Sequence, residues 1–349
     1  MRIGLPKLLL VSDCRAAKSA FFSLMAVLAC ADASIANATA RPLPIIDMHV
    51  HAWRVGDAAG APACLGSERS YYPPLDPRAP FKLLTACAHP LRAPMSDDAL
   101  MRGSIGMMRR FNVRHAVTSG ELADVAKWQS AAPATIIPAL GFGESGGPTA
   151  EQFRHLYEVH AFAVFAEVST QYGGVSADDA RWEPYFALAE QLDIPVGIHM
   201  GEGPPAVARF PGYEKYRAHL TSTFQLENVL IRHPKLRIYA MHYGSPLVEE
   251  TIAMMFSYPN LYVDVACNDW SNPRAQFYGQ LKQMVDAGFE KRIMFGSDQM
   301  YWPQAIGEAI QSIEAAPFLT KSQKRDILYN NAARFLRLSR DQIKADNRR

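Results

Sequence analysis

Ile45-Ile46-Asp47-Met48-His49-Val50-His51 is a short apolar run that closes on two histidines spaced i, i+2. Successive residues of a strand point to opposite faces, so a strand here would project both imidazoles from one side. Neutral imidazole is the commonest protein ligand for a divalent transition metal. The pattern is short enough to arise for other reasons, so its meaning depends on what the remaining chain places beside it.

Outward from this stretch, short β-branched runs alternate with longer amphipathic ones, the pattern of βα units around a parallel sheet. Strands are expected at 44–49, 113–119, 135–140, 164–169, 195–199, 237–242, 261–266 and 292–297. Eight such units predict an α/β chain closed as a (β/α)8 TIM barrel. Helices are expected from a Ser96-Asp97-Asp98 cap to about 110, over 181–192, and over 247–256 with Pro246 in the first turn. His233-Pro234 and Asp193-Ile194-Pro195 stop two helices ahead of strands, because a residue preceding proline is pushed out of the helical region. The connection 52–94, after the first strand, is long and rich in Pro and Gly, and would overhang the same barrel mouth as the histidines. An extra amphipathic C-terminal helix is expected over 322–338, with Ile327, Leu328, Ala332, Phe335 and Leu336 on its apolar face.

The 349 residues carry a formal net charge of +2. Residues 1–40 hold Arg2, Lys7, Arg15 and Lys18 against Asp13 and Asp32, so the remainder is neutral and offers no basic footprint for nucleic acid. A basic start, the apolar run Ala20 to Ala29 and Ala38-Thr39-Ala40 before Arg41-Pro42 predict an export signal over 1–40. Residues 41–349 would then form a single barrel domain in the periplasm. The apolar run is short for a membrane span, which takes roughly 20 residues. Val27-Leu28-Ala29-Cys30 also resembles a lipoprotein box, the alternative being a lipid anchor on Cys30. Cys64 and Cys87 could pair in an oxidising compartment, leaving Cys267 odd.

In a barrel, functional groups sit where strands end. The polar residues at those ends are His49 and His51, Glu167, His199, His242 and Asp298, six metal-competent side chains on five strands. Trp53, Arg54, Tyr172, Asn268 and Tyr301 follow these strands and form an aromatic rim with few charges, suited to a small cyclic or aromatic molecule. No Gly-rich phosphate loop is present.

With these residues and the ending Ile327-Leu328-Tyr329-Asn330-Asn331-Ala332-Ala333-Arg334-Phe335-Leu336, the chain resembles the amidohydrolase superfamily. Within it, the likeness is to the metal-dependent hydrolase branch that also holds decarboxylases of the aminocarboxymuconate semialdehyde type. The resemblance implies that His49 and His51 bind a first divalent metal, usually zinc, with His199 or Asp298. It makes Asp298 the general base, and His242 a ligand of a second metal or a stabiliser of charge on the substrate. Glu167 would bridge two ions or, beside a single ion, hydrogen-bond a ligand. The leading expectation is a hydrolase of an ester, lactone or amide. The alternative is a one-metal lyase that decarboxylates or hydrates a carboxylated ring or dienoate, with Arg54 on the carboxylate. One or two ions and a homo-oligomer stay open.

Overall fold

The computed structural model describes residues 42–68, 76, 78, 87–143 and 146–348. The expected export signal, its cleavage point and Cys30 lie outside the described residues. Eight parallel strands follow one another in chain order: β1 Ile45–His51, β2 Val113–Ser119, β3 Ile136–Leu140, β4 Val164–Val168, β5 Val196–His199, β6 Ile238–Met241, β7 Leu261–Asp264 and β8 Ile293–Met294. Neighbours pair in parallel, as in Val50 with Thr118, His51 with Ser119 and His199 with Met241. The circle closes where Met48 N–H donates to the Phe295 carbonyl at 2.9 Å and Asp298 N–H to the His49 carbonyl at 2.8 Å. This is a TIM barrel.

Every residue of β1 is buried, as befits a strand covered on both faces. The barrel floor is filled by Ile46, Met48, Val117, Val164, Tyr239 and Met294, against which Tyr329, Ala332 and Phe335 of the C-terminal segment pack. A larger apolar layer joins the outer faces of the strands to the helices, including Leu100, Phe153, Phe186, Val229 and Phe277.

The helix Asp97–Arg110 begins where expected, with the Ser96 hydroxyl accepting from Ala99 N–H. Three other expectations are corrected in detail. The helix expected over 181–192 opens as a 3-10 turn, Ala180–Trp182, because Asp179 caps Arg181 N–H, and becomes α-helical over Glu183–Leu192. Val248–Ser257 starts after Pro246, which sits in the preceding turn rather than in the helix itself. The C-terminal segment Lys321–Phe335 carries a π-helical stretch at Asp326–Asn330, and a further helix follows at Arg340–Asn347. That last helix is docked by the buried Asp346, which accepts from Tyr329 Oη at 2.6 Å and lies 2.8 Å from His115 Nε2.

The long first loop is anchored rather than free at its described ends. Pro62–Ala63 pairs antiparallel with Leu91–Arg92, and a disulfide joins Cys64 to Cys87. Trp302, beyond β8, donates its indole N–H to the Ala61 carbonyl at 2.9 Å. Gly66 lies so close to the segment after β7 that a Cβ would fall 1.6 Å from the Asn272 carbonyl oxygen. The described part of the loop therefore meets the segments that follow β7 and β8, and only glycine fits at position 66.

Candidate metal centre

Five of the strands bring one or two metal-competent side chains to the mouth while their preceding residues are spent on the core. In β1 a register shift between Asp47 and Val50 re-aims the chain. Met48 joins the floor while His49 and His51 face inward above it, their Nε2 atoms 3.1 Å apart. Gly296 lets the end of β8 approach, since a Cβ there would lie 2.8 Å from that of His49.

All six expected side chains converge. Glu167 Oε1 lies 2.5 Å from His199 Nδ1 and 3.6 Å from His242 Nε2, while Oε2 lies 3.5 Å from His51 Nε2 and 3.7 Å from His49 Nε2. Asp298 Oδ1 is 3.0 Å from His51 Nε2 and 3.8 Å from His49 Nε2. The four histidines share one arrangement: every Nδ1 already faces an oxygen. His49 meets Asp264 Oδ2 at 3.2 Å, His51 meets Ser119 Oγ at 3.0 Å, His199 meets Glu167, and His242 meets the Ala266 carbonyl at 3.0 Å. A carbonyl can only accept, so His242 carries its proton on Nδ1 and turns the Nε2 lone pair inward.

These donors suit a divalent cation. Buried polar atoms are normally paired, yet His199 Nε2 and Asp298 Oδ1 are buried without a properly directed hydrogen bond. Among the described residues, three overlapping sets have ligand atoms within 4.8 Å of one another: His49 with His51 and Glu167; Glu167 with His199 and His242; and His49 with His242 and Asp264.

The electrostatics follow from crowding. Burial alone would raise Asp298, but His49, His51 and His242 hold its carboxyl down at about 2. Glu167 likewise resists burial and sits well below the usual carboxylate range, chiefly through the charge and bond of His199 and through the nearby His242 and His49 rings. Burial lowers His49, yet Asp298, Asp264 and Glu167 together lift it well above its ordinary value. Burial lowers His242 too, but the nearby Glu167 carboxylate outweighs it and leaves His242 raised, whereas burial wins at His199 and lowers it. Burial and the nearby Glu167 charge push the Tyr172 hydroxyl well up.

The rim residues divide. Trp53 stacks on His51 with ring centroids 4.2 Å apart, and Tyr301 lies 5.2 Å from Trp53. Tyr172 lies 5.0 Å from His199 and 5.6 Å from both Tyr213 and Tyr216. Arg54 instead turns to Asp124 at 2.8 Å on an exposed surface, and Asn268 is buried behind His242, donating to the Ala266 carbonyl at 3.2 Å.

Several residues around the site escaped the sequence reading. Asp264 binds His49 and also accepts His242 N–H at 2.8 Å. Asp47 Oδ1 accepts from His49 N–H at 3.1 Å and Ser297 N–H at 2.9 Å, stitching β1 to the segment after β8. Gln299 clasps the His51 backbone, accepting its N–H at 3.0 Å and donating to its carbonyl at 2.6 Å. The strand-end rule that found the ligands also marks Asp264, a carboxylate closing the apolar run Leu261-Tyr262-Val263.

The family model described as Amidohydrolase matches residues 46–338. A search of curated proteins gives no match. Among solved structures, a TIM-barrel protein of uncharacterised function from Bordetella bronchiseptica is 18% identical, covering 84% of this chain and 99% of that one at a TM-score of 0.54. A probable 2-pyrone-4,6-dicarboxylic acid hydrolase from Acinetobacter baumannii, with citric acid bound, is 14% identical over 84% of this chain and 99% of that one, TM-score 0.55. A dihydroxybenzoic acid decarboxylase from Polaromonas sp. JS666, with manganese and the inhibitor 2-nitroresorcinol, is 14% identical over 68% and 86%, TM-score 0.51. At such identities the likeness to these structures is one of fold.

Proposed function

The chain belongs to the amidohydrolase family, and from that premise we propose that it is a metal-dependent hydrolase of a small cyclic or aromatic ester, lactone or amide. The observation that carries this reading is the placement of Glu167. One of its oxygens faces His199 and His242, the other faces His49 and His51, and it is held ionised. A carboxylate so placed can serve two ions, the arrangement that suits hydrolysis.

His49, His51, Glu167, His199, His242 and Asp298 would hold the metal, with zinc the first candidate. A divalent ion there would supply a Lewis acid and acidify water toward neutral pH. Asp298, ionised and buried at the mouth, takes the proton of the attacking water at its carboxylate and returns it to the leaving group. Beside a single ion, His242 would instead steady charge that develops on the substrate. Trp53, Tyr301 and Tyr172 flank the mouth with aromatic faces on which a planar ring stacks. The Tyr172 hydroxyl keeps its proton and can donate a hydrogen bond. The Acinetobacter neighbour, named for a pyrone hydrolase, supports this substrate class.

The 2.5 Å contact between Glu167 and His199 Nδ1 favours a second reading, in which Glu167 orients a histidine beside a single ion and the enzyme is a decarboxylase or hydratase. The Polaromonas decarboxylase supports that reading. Metal content of the purified protein, followed by assays against lactones, aryl esters, amides and carboxylated rings, decides between them. Chelator-sensitive hydrolysis abolished by Asp298→Asn upholds the hydrolase; carbon dioxide release with one bound ion replaces it. Export remains part of the proposal, supported by the disulfide.

A further inference from the structure

Asp264 ends β7 fully buried, with one oxygen turned to backbone N–H groups after β6 and β7 and the other to His49 of β1. Oδ1 accepts the backbone N–H of His242 at 2.8 Å and of Ala266 at 3.1 Å. Oδ2 lies 3.2 Å from His49 Nδ1, across 215 residues of sequence. With Oδ1 fixed by two backbone donors, the carboxylate cannot rotate, and Oδ2 has a fixed aim.

We propose that Asp264 is a positioning residue: it holds the His49 proton on Nδ1, so that the Nε2 lone pair faces the metal-binding centre, and it sets the height of His242 through the backbone. The proposal rests on reading this cluster as a metal centre. The opposing possibility is that Asp264 is itself a ligand, since it lies within ligand distance of His49 and His242. The bonds argue otherwise. Two backbone N–H groups already engage Oδ1, and Oδ2 reaches His49 by Nδ1, the nitrogen that faces away from His51. The Nε2 side of His49 is the side on which His51, Glu167 and Asp298 gather. A carboxylate behind a ligating imidazole fixes its tautomer and orientation, and losing such a partner costs about 10- to 100-fold in metal affinity.

Asp264→Asn gives the sharp test because it is isosteric. The amide oxygen can still accept the His242 and Ala266 N–H groups, while its NH2 faces His49 Nδ1 as a donor. That forces the His49 proton onto Nε2, toward His51. Zinc binding by titration calorimetry on metal-stripped protein, 15N shifts of the histidine rings in the zinc-loaded protein, and thermal melting are the three readouts. The expected result is an unchanged number of zinc ions bound with about 10- to 100-fold weaker affinity, a His49 tautomer switched from Nδ1–H to Nε2–H, and a melting point of the stripped protein near that of wild type. Loss of a whole equivalent of zinc would make Asp264 a ligand and overturn the proposal. Equal affinity with an unswitched tautomer would overturn it as well. Absence of zinc binding by the wild-type protein would sink the metal centre itself and this proposal with it, an outcome distinguishable from the other two. Should Asp264→Asn fail to fold, the wild-type 15N spectrum still decides, because an Nε2–H tautomer at His49 contradicts the assignment.

Discussion

Oδ1 of Asp298 stands 3.0 Å from Nε2 of His51, and the Asp298 N–H is bonded to the His49 carbonyl at 2.8 Å. The closing seam of the barrel thus fixes the carboxylate against the histidine pair. Replacing it with Asn keeps shape and size while removing the proton acceptor. We expect Asp298→Asn to lower kcat by about 100- to 10,000-fold with a smaller change in KM, the usual range for a lost general base. Steady-state kinetics on metal-loaded protein checks this; a variant with near wild-type kcat would remove Asp298 from the proton-transfer role.

Asp47 lies directly beneath the pair, fully buried, with one oxygen bonded and Oδ2 without a partner. Burial pushes its carboxyl up to about 7 despite bonds from Ser297 and His49. The folded protein therefore keeps this proton to about pH 7, whereas the unfolded chain releases it near 4. Between those values the folded state binds the extra proton, so this group's contribution to stability falls as pH rises, and above 7 the penalty is complete. Asp47→Asn retains an acceptor for both N–H groups and removes the titration. Denaturant melts with chelator present are expected to match wild type near pH 4 and to show the variant more stable by on the order of 2–4 kcal/mol above pH 7. Parallel pH–stability curves would contradict the assignment.

Cys64 and Cys87 pair across 23 residues of the long first loop. A cross-link closing a loop of that size stabilises by about 3 kcal/mol when the unfolded chain loses the corresponding freedom. The double variant Cys64→Ser, Cys87→Ser is expected to melt several degrees lower, and wild type to shift equally on reduction. A reductant-insensitive melting curve would show that the loop is held by its other anchors, such as the Trp302 bond to Ala61.

The barrel was readable because strands buried on both faces leave uninterrupted apolar runs, and each run ended in the polar side chain that faces the mouth. His49, His51, Glu167, His199, His242 and Asp298 could be gathered from position alone. What sits behind them could not. The strand-end rule marks Asp264 as a carboxylate at the mouth, but its bond to His49, 215 residues away in sequence, is recorded by no local pattern. Arg54 shows the limit of proximity: three residues past the strand the chain has already turned, and the guanidinium finds Asp124. The helix Arg340–Asn347 has almost no apolar stripe; it is held by Asp346 against His115 and Tyr329, a polar anchor that periodicity does not reveal.

Glu167 decides the reaction class, and its two substitutions separate the readings. If it bridges two ions, Glu167→Ala removes a ligand from both, and bound metal should fall from two equivalents to one with activity lost. If it only orients His199, a single equivalent should survive with affinity reduced about 10- to 100-fold, since a supporting partner rather than a ligand has gone. Glu167→Gln sharpens the comparison. The amide oxygen can still accept from His199 Nδ1 across the present 2.5 Å contact, so an orienting role would be largely rescued. A bridging role would not, because a neutral amide is a poor substitute for a carboxylate shared between two cations. Metal analysis of the two variants beside wild type therefore reads the mechanism directly: rescue by Gln means one ion and the lyase, and failure of rescue with loss of an ion means two and the hydrolase.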